Sequence, residues 1–150
     1  MRVSVRIHST ITDLAPDDRE ETDGKRDYTA VSHGIFSQND GECLLSYSED
    51  GENGKTHTRI RLPDDGGFVR IERTGAVNNR MTLIPGKEDM SVYEIPPFRF
   101  SLTAVPEHIE NGITRSGGIL RLSYRICLGG QKSHVALALT VTPAEGEEKP

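Results

Sequence analysis

The sequence contains no tryptophan, and aromatic residues make up only 5% of it. A surface that grips single-stranded nucleic acid needs exposed rings on which bases stack, so this scarcity disfavours that class of function. Cysteine is nearly missing as well. Cys43 and Cys127 each stand inside an apolar, strand-like run without a CxxC partner. They read as reduced, buried thiols, with a disulfide or a shared metal as the alternative. No run approaches the roughly 18 apolar residues that a membrane-spanning helix requires. The N-terminal MRVSVRIHSTI alternates polar and apolar residues, unlike a signal peptide or an anchor, so a cytoplasmic location is expected. Catalytic signatures are missing too. The five histidines are scattered with no HExxH or HxH pair, and no GxSxG, GxxxxGK[ST] or strand-to-helix GxGxxG occurs. DGENGKTH lacks the spaced ligands and final Glu of a calcium loop. Neither a metal nor a cofactor is expected.

What the chain does contain is alternation. Its 150 residues suit one domain, expected at 1–142 with a flexible tail at 143–150. The dominant hydrophobic period is two, not 3.6. Val3, Val5 and Ile7 alternate with Arg2, Ser4, Arg6 and His8, and Leu120, Leu122, Tyr124 and Ile126 alternate with Arg121, Ser123 and Arg125. Between such runs lie NDGE, EDGENGK, PDDGG, PGKED, SGG and LGGQ, which carry turn chemistry. Gly34 interrupts TAVSHGIF as a bulge or bend glycine would. Residues 12–26, TDLAPDDREETDGKR, read as a polar loop. The pattern predicts an all-β fold, a single antiparallel meander of about nine or ten strands. Its long terminal strands are able to pair, which favours a barrel over a sandwich.

The 18 basic and 23 acidic residues give a net charge of −5, which disfavours non-specific nucleic-acid or anionic-membrane binding. Yet 13 of the basic residues are arginines, many on the polar faces of alternating strands. They would form a phosphate- or RNA-binding patch, or, as the simpler reading, pair with acids across strands and discourage edge association. His57 sits on a polar strand face. His33, beside Gly34, would point inward if the run bends there. A barrel of this size either fills with side chains or encloses one small ligand.

Four stretches recur in a distinctive order: ECLLSYSED, FVRIERTGAVNNRMTLIPGK, SVYEIPPFRFSLTA and GGILRLSYRICLGGQKSHVALALTVT. Together they resemble the YwiB-like family of bacterial proteins of unknown function, over about residues 2–142. The most specific pieces are Arg73 to Val77 and the element Tyr93 to Pro96. Where the family tends to have Thr-Pro-Tyr-Gly after Tyr93, this chain has IPPFRF. The resemblance implies a calycin-like, lipocalin-like barrel and carries no catalytic residue with it. The expected function is a non-catalytic binding module, holding a small apolar or amphipathic ligand in the barrel or a protein partner on its wall. The expected ligand site is the barrel mouth near Arg73, Asn78, Asn79, Arg80 and Tyr93. The alternatives are an RNA- or phosphate-binding accessory protein and, behind it, an enzyme acting through His33 or Tyr93.

Overall fold

Alternating apolar and polar residues suit a strand with one buried face, and that is how the chain folds. The computed structural model describes residues 1–17 and 19–144, and of residues 21–23 the backbone alone. Among them the strands are β1 (Arg2–Leu14), β2 (Glu20–Asn39), β3 (Glu42–Gly51), β4 (Gly54–Pro63), β5 (Val69–Gly75), β6 (Asn79–Leu83), β7 (Asp89–Ile95), β8 (Phe98–Asn111), β9 (Gly118–Leu128) and β10 (Gln131–Pro143). All pairings are antiparallel, in the order β6-β5-β4-β3-β2-β1-β10-β9-β8-β7. The terminal strands do pair, from Val3 opposite Pro143 to Leu14 opposite Lys132. The two edge strands then curl round to meet, Asn78 and Glu94 exchanging backbone hydrogen bonds of 2.8 and 2.9 Å. The sheet is a nearly closed barrel.

Turn chemistry sets the registers. Asn39 lies opposite Glu42, leaving Asp40 and Gly41 as a two-residue loop with φ of 40° and 83°. Two positive φ values in succession match the twist of the flanking strands, and Gly tolerates them at no steric cost.

The residues expected to form a loop at 12–26 are mostly strand. β1 continues to Leu14 and β2 begins at Glu20, with one register shift between Thr12 and Leu14. Polarity misled here because these strand ends have left the level of the core. Asp13 and Arg26 share the inner face, where they bond each other. Gly34 is not a bulge either, for the pairing with β1 runs unbroken past it, while on the β3 side it is the last paired residue. A Cβ there would press on the Ser46 carbonyl oxygen at 2.5 Å. Gly lets β3 approach β2 closely at that point. Beyond the pair Gly34–Tyr47 the two strands separate, bridged by Ser32 Oγ donating to the Ser48 carbonyl at 2.6 Å. Of the tail expected at 143–150, Pro143 closes β10, the Ala144 N–H donates to the Arg2 carbonyl at 3.1 Å, and residues 145–150 lie outside the described residues.

The core occupies one end. Val3, Val5, Phe36, Leu45, Ile60 and Ile71 are at most 2% exposed, and Leu83, Leu120, Leu139 and Val141 join them. The inner face changes character towards the other end of every strand.

Candidate ligand site at the open end of the barrel

The inward stripes of several strands meet a polar side chain at one level, although β9 returns to Ile126 and Leu128 beyond Tyr124. On β3 the stripe reads Cys43, Leu45, Tyr47, Glu49; on β5 it reads Val69, Ile71, Arg73; on β9 Leu120, Leu122, Tyr124; and on β1 Ile7, Ser9, Ile11, Asp13. Above that level the barrel is hollow. A cavity of about 430 Å³ opens there, with Tyr47, Arg73, Asn79, Tyr93 and Tyr124 in its wall and Asp13, Arg26, Tyr28, Glu49 and Ser133 nearer the rim. Its apolar lining comes from Met81, Leu102, Ile126, Leu128, Val135 and Leu137.

One row of side chains crosses the wall. Tyr47 pairs with Thr58, Thr58 with Arg73, and Arg73 with Asn79, each on the inner face of successive strands. Thr58 is fully buried and Asn79 nearly so. Asn79 reaches across the gap between β6 and β7, its Nδ2 donating to the Val92 carbonyl at 2.9 Å and to Ser91 Oγ at 3.0 Å. Because the Val92 carbonyl is an acceptor only, this fixes the amide orientation. Asn79 Oδ1 is buried without a hydrogen-bond partner.

Arg73 brings its charge among phenols. It shares the cavity wall with Tyr47, Tyr93 and Tyr124. Burial pushes the Tyr124 and Tyr47 hydroxyls upward in pKa, and the Arg73 charge pulls against that in both. At the rim the carboxylates already have partners. Tyr28 Oη donates to Glu49 Oε2 at 2.7 Å, which, with burial, drives the Tyr28 pKa up to about 12. Arg26 donates to both oxygens of Asp13 at 3.0 and 3.2 Å, and Ser133 Oγ donates to Oδ1 at 3.0 Å. The Arg26 bond holds Asp13 below the usual carboxylate range, with burial opposing and Ser133 adding to it. A carboxylate lowered on folding stabilises the fold above its unfolded pKa of about 3.9, and that stability is lost as pH falls through the lower folded value. Arg26 is 59% exposed, so screening keeps the pair weak. Asp13→Asn is expected to cost about 1 kcal/mol at pH 7. The difference should shrink as pH falls below the unfolded value and through the lowered folded one; urea unfolding at pH 7 and at successively more acidic pH measures it.

Of the residues expected at the mouth, Arg73, Asn79 and Tyr93 line the cavity together. Asn78 does not. Its side chain closes the β5–β6 turn, Oδ1 accepting from the Gly75 N–H at 3.1 Å and Nδ2 donating to the Gly75 carbonyl at 2.9 Å. Arg80 lies on the outer face, where Glu72 directly opposite approaches to 3.9 Å. His33 is exposed on the outer wall beside Ser4, not inward. The pair Tyr47 and Tyr124 was the part that sequence reasoning missed, although each ends an apolar stripe of period two.

Several of the remaining arginines, on different strands, are paired with acids. Arg61 meets Glu42 at 3.0 Å, Arg125 meets Glu107 at 3.0 Å, and Arg99 and Arg121 each lie 3.8 Å from Glu94 and Glu110. Arg70 stacks 5.4 Å over the Phe68 ring. Cys43 is buried with the inward stripe of β3, whereas Cys127 alternates with inward Ile126 and Leu128, so the two thiols are free. Among the described residues no cluster of three His, Cys, Asp or Glu is placed to hold a metal ion, and no helix is long and apolar enough to cross a membrane.

The same barrel has been seen before. The crystal structure of ywiB protein from Bacillus subtilis superposes with a TM-score of 0.69 over 93% of this chain and 90% of that one, at 19% sequence identity. That likeness establishes the shared fold. No curated protein matches the chain in sequence. The profile of a domain of unknown function, DUF1934, matches residues 14–137, and with most of its length so covered the chain belongs to the DUF1934 family, as the YwiB-like order of its motifs implied.

Proposed function

We propose that the protein is a non-catalytic, cytoplasmic binding module of calycin-like architecture that holds one small amphipathic molecule in the open end of its barrel. The observation that carries this reading is the half-filled interior: side chains pack one end to completion and leave about 430 Å³ at the other. Small-molecule sites typically occupy about 300–1,000 Å³ and combine apolar walls with a few fixed polar groups. The nucleic-acid alternative loses its support, since arginines spread round a wall and paired with acids present no continuous basic track. Catalysis through His33 is disfavoured by its outward position.

A second reading has its own observation. Met90 is 77% exposed, with Val92 and Val105 also open on the same outer face of β7 and β8, an apolar strip suited to a protein partner. Native mass spectrometry of protein purified from its own cytoplasm separates the two. A small bound mass that leaves on denaturation is expected. A bare monomer that also fails to take up any added amphiphile would refute the carrier, and a stoichiometric protein adduct would favour the strip.

A further inference from the structure

Arg73 is an expensive residue for an otherwise apolar stripe. Val69 and Ile71 precede it on the inner face of β5, at 2% and 0% exposure. A cation placed there must be hydrated, paired or neutralised by something that enters. Among the described residues no carboxylate lies within salt-bridge distance of it, whereas the two rim acids are held by Arg26 and by Tyr28. Its neighbours are phenols, which donate hydrogen bonds to an anion as readily as they accept from a guanidinium. Tyr47, Tyr93 and Tyr124 line the same cavity as Arg73, and its charge acts on the Tyr124 hydroxyl. Across the seam, the Asn79 side chain forms part of the same cavity wall, with its unpartnered Oδ1 closed off from the open space.

We infer that the ligand is a carboxylate-headed amphiphile: its carboxylate is bound by Arg73 and the Tyr124 and Tyr93 hydroxyls, and its chain points to the mouth between Leu102, Ile126 and Leu128. This deepens the carrier reading and rests on it. The planar guanidinium fork matches a carboxylate, and a charge-assisted pair in a water-poor site is worth more than a neutral one. The apolar walls set the other half of the specificity, because a bare small anion would leave them wet.

The test uses straight-chain probes of one length with the whole chain: decanoate, 2-hydroxydecanoate, decanol and decyltrimethylammonium, titrated by calorimetry. Decanoate is expected to bind roughly 10- to 100-fold more tightly than decanol, the range for one charge-assisted head-group contact. 2-Hydroxydecanoate, which carries the same carboxylate, should bind within about threefold of decanoate. In Arg73→Met the advantage of decanoate over decanol should disappear while decanol itself is held within about threefold, a change too small to mark lost head-group recognition. Arg73→Lys keeps the charge and loses the fork, and should retain part of the advantage. Decanol or the ammonium probe binding as well as decanoate would overturn the anion inference and leave the carrier reading standing. So would Arg73→Met that still prefers the acid. Binding of none of the four probes would overturn both. Amide NMR spectra of each variant establish that it is folded, and if Arg73→Met is not, the wild-type ranking of the four probes and Arg73→Lys decide the matter.

Discussion

Gly75→Ala is expected to destabilise the barrel by roughly 3 kcal/mol, lowering the thermal midpoint by about 6–12 °C for a chain of this size. Two costs coincide at this position. Gly75 has a φ of 114°, a region that residues with a Cβ rarely enter. A Cβ there would also be driven against the Lys55 carbonyl oxygen of β4. That carbonyl is already engaged, accepting from the Ala76 N–H at 3.0 Å, so it cannot withdraw without loss. Gly41→Ala separates the costs. Gly41 has a φ of 83° and nothing within 4 Å of its would-be Cβ. It should therefore show the conformational penalty alone, about 1 kcal/mol. A Gly75→Ala protein no less stable than Gly41→Ala would refute the close approach as the reason for glycine in this turn.

That turn also shows what the sequence could and could not reveal. RTGAVNNRM reads as a connection reversing FVRIE into RMTLI, and it is one: Gly75 takes the positive φ and Asn78 caps it with two side-chain bonds. Local chemistry of this kind is legible because the constraint is local. The alternation of β5 and β9 was legible for the same reason, since a stripe of period two announces one buried face. The level at which each stripe crosses from packed core to open mouth is a different matter. It depends on how far each strand is staggered against its neighbours, and stagger is a property of the closed barrel. Alternation from Val69 and Ile71 puts Arg73 on the inner face, but nothing in RTG says that this position stands at the level of the cavity. Residues 12–26 looked like a loop because a strand that lines a wet mouth has the composition of one. Arg80, by contrast, has a polar strand position like many others, and only the register places Glu72 opposite it. Asn78 and Asn79 are adjacent and chemically identical, yet strand alternation sends one into a turn and the other into the barrel.

Asn79 is where closure is decided, and Asn79→Ala is expected to cost about 2–3 kcal/mol. Along β6 and β7 the backbone ladder is almost missing: Asn78 and Glu94 form one bridge, and side chains do the rest. Asn79 Nδ2 holds the Val92 carbonyl and Ser91 Oγ, and Asp89 Oδ2 accepts from the Thr82 N–H at 3.3 Å. Removing the Asn79 amide leaves the Val92 carbonyl without that partner in a partly buried site, at about 1–3 kcal/mol. The orphaned Oδ1 disappears with it, which returns part of the loss. The net effect is moderate in global stability but concentrated at the seam. Hydrogen exchange at the Asn78 and Glu94 amides should therefore quicken by at least about tenfold, equivalent to roughly 1.4 kcal/mol of local opening. Amides of the β1–β10 ladder, on the far side of the barrel, should slow or quicken only with the global change. Uniform acceleration across the sheet would mean that the seam has no independent opening, and that the barrel unfolds as one unit. Selective acceleration would identify the β6–β7 edge as the part of the wall that yields first, with the cavity directly behind it.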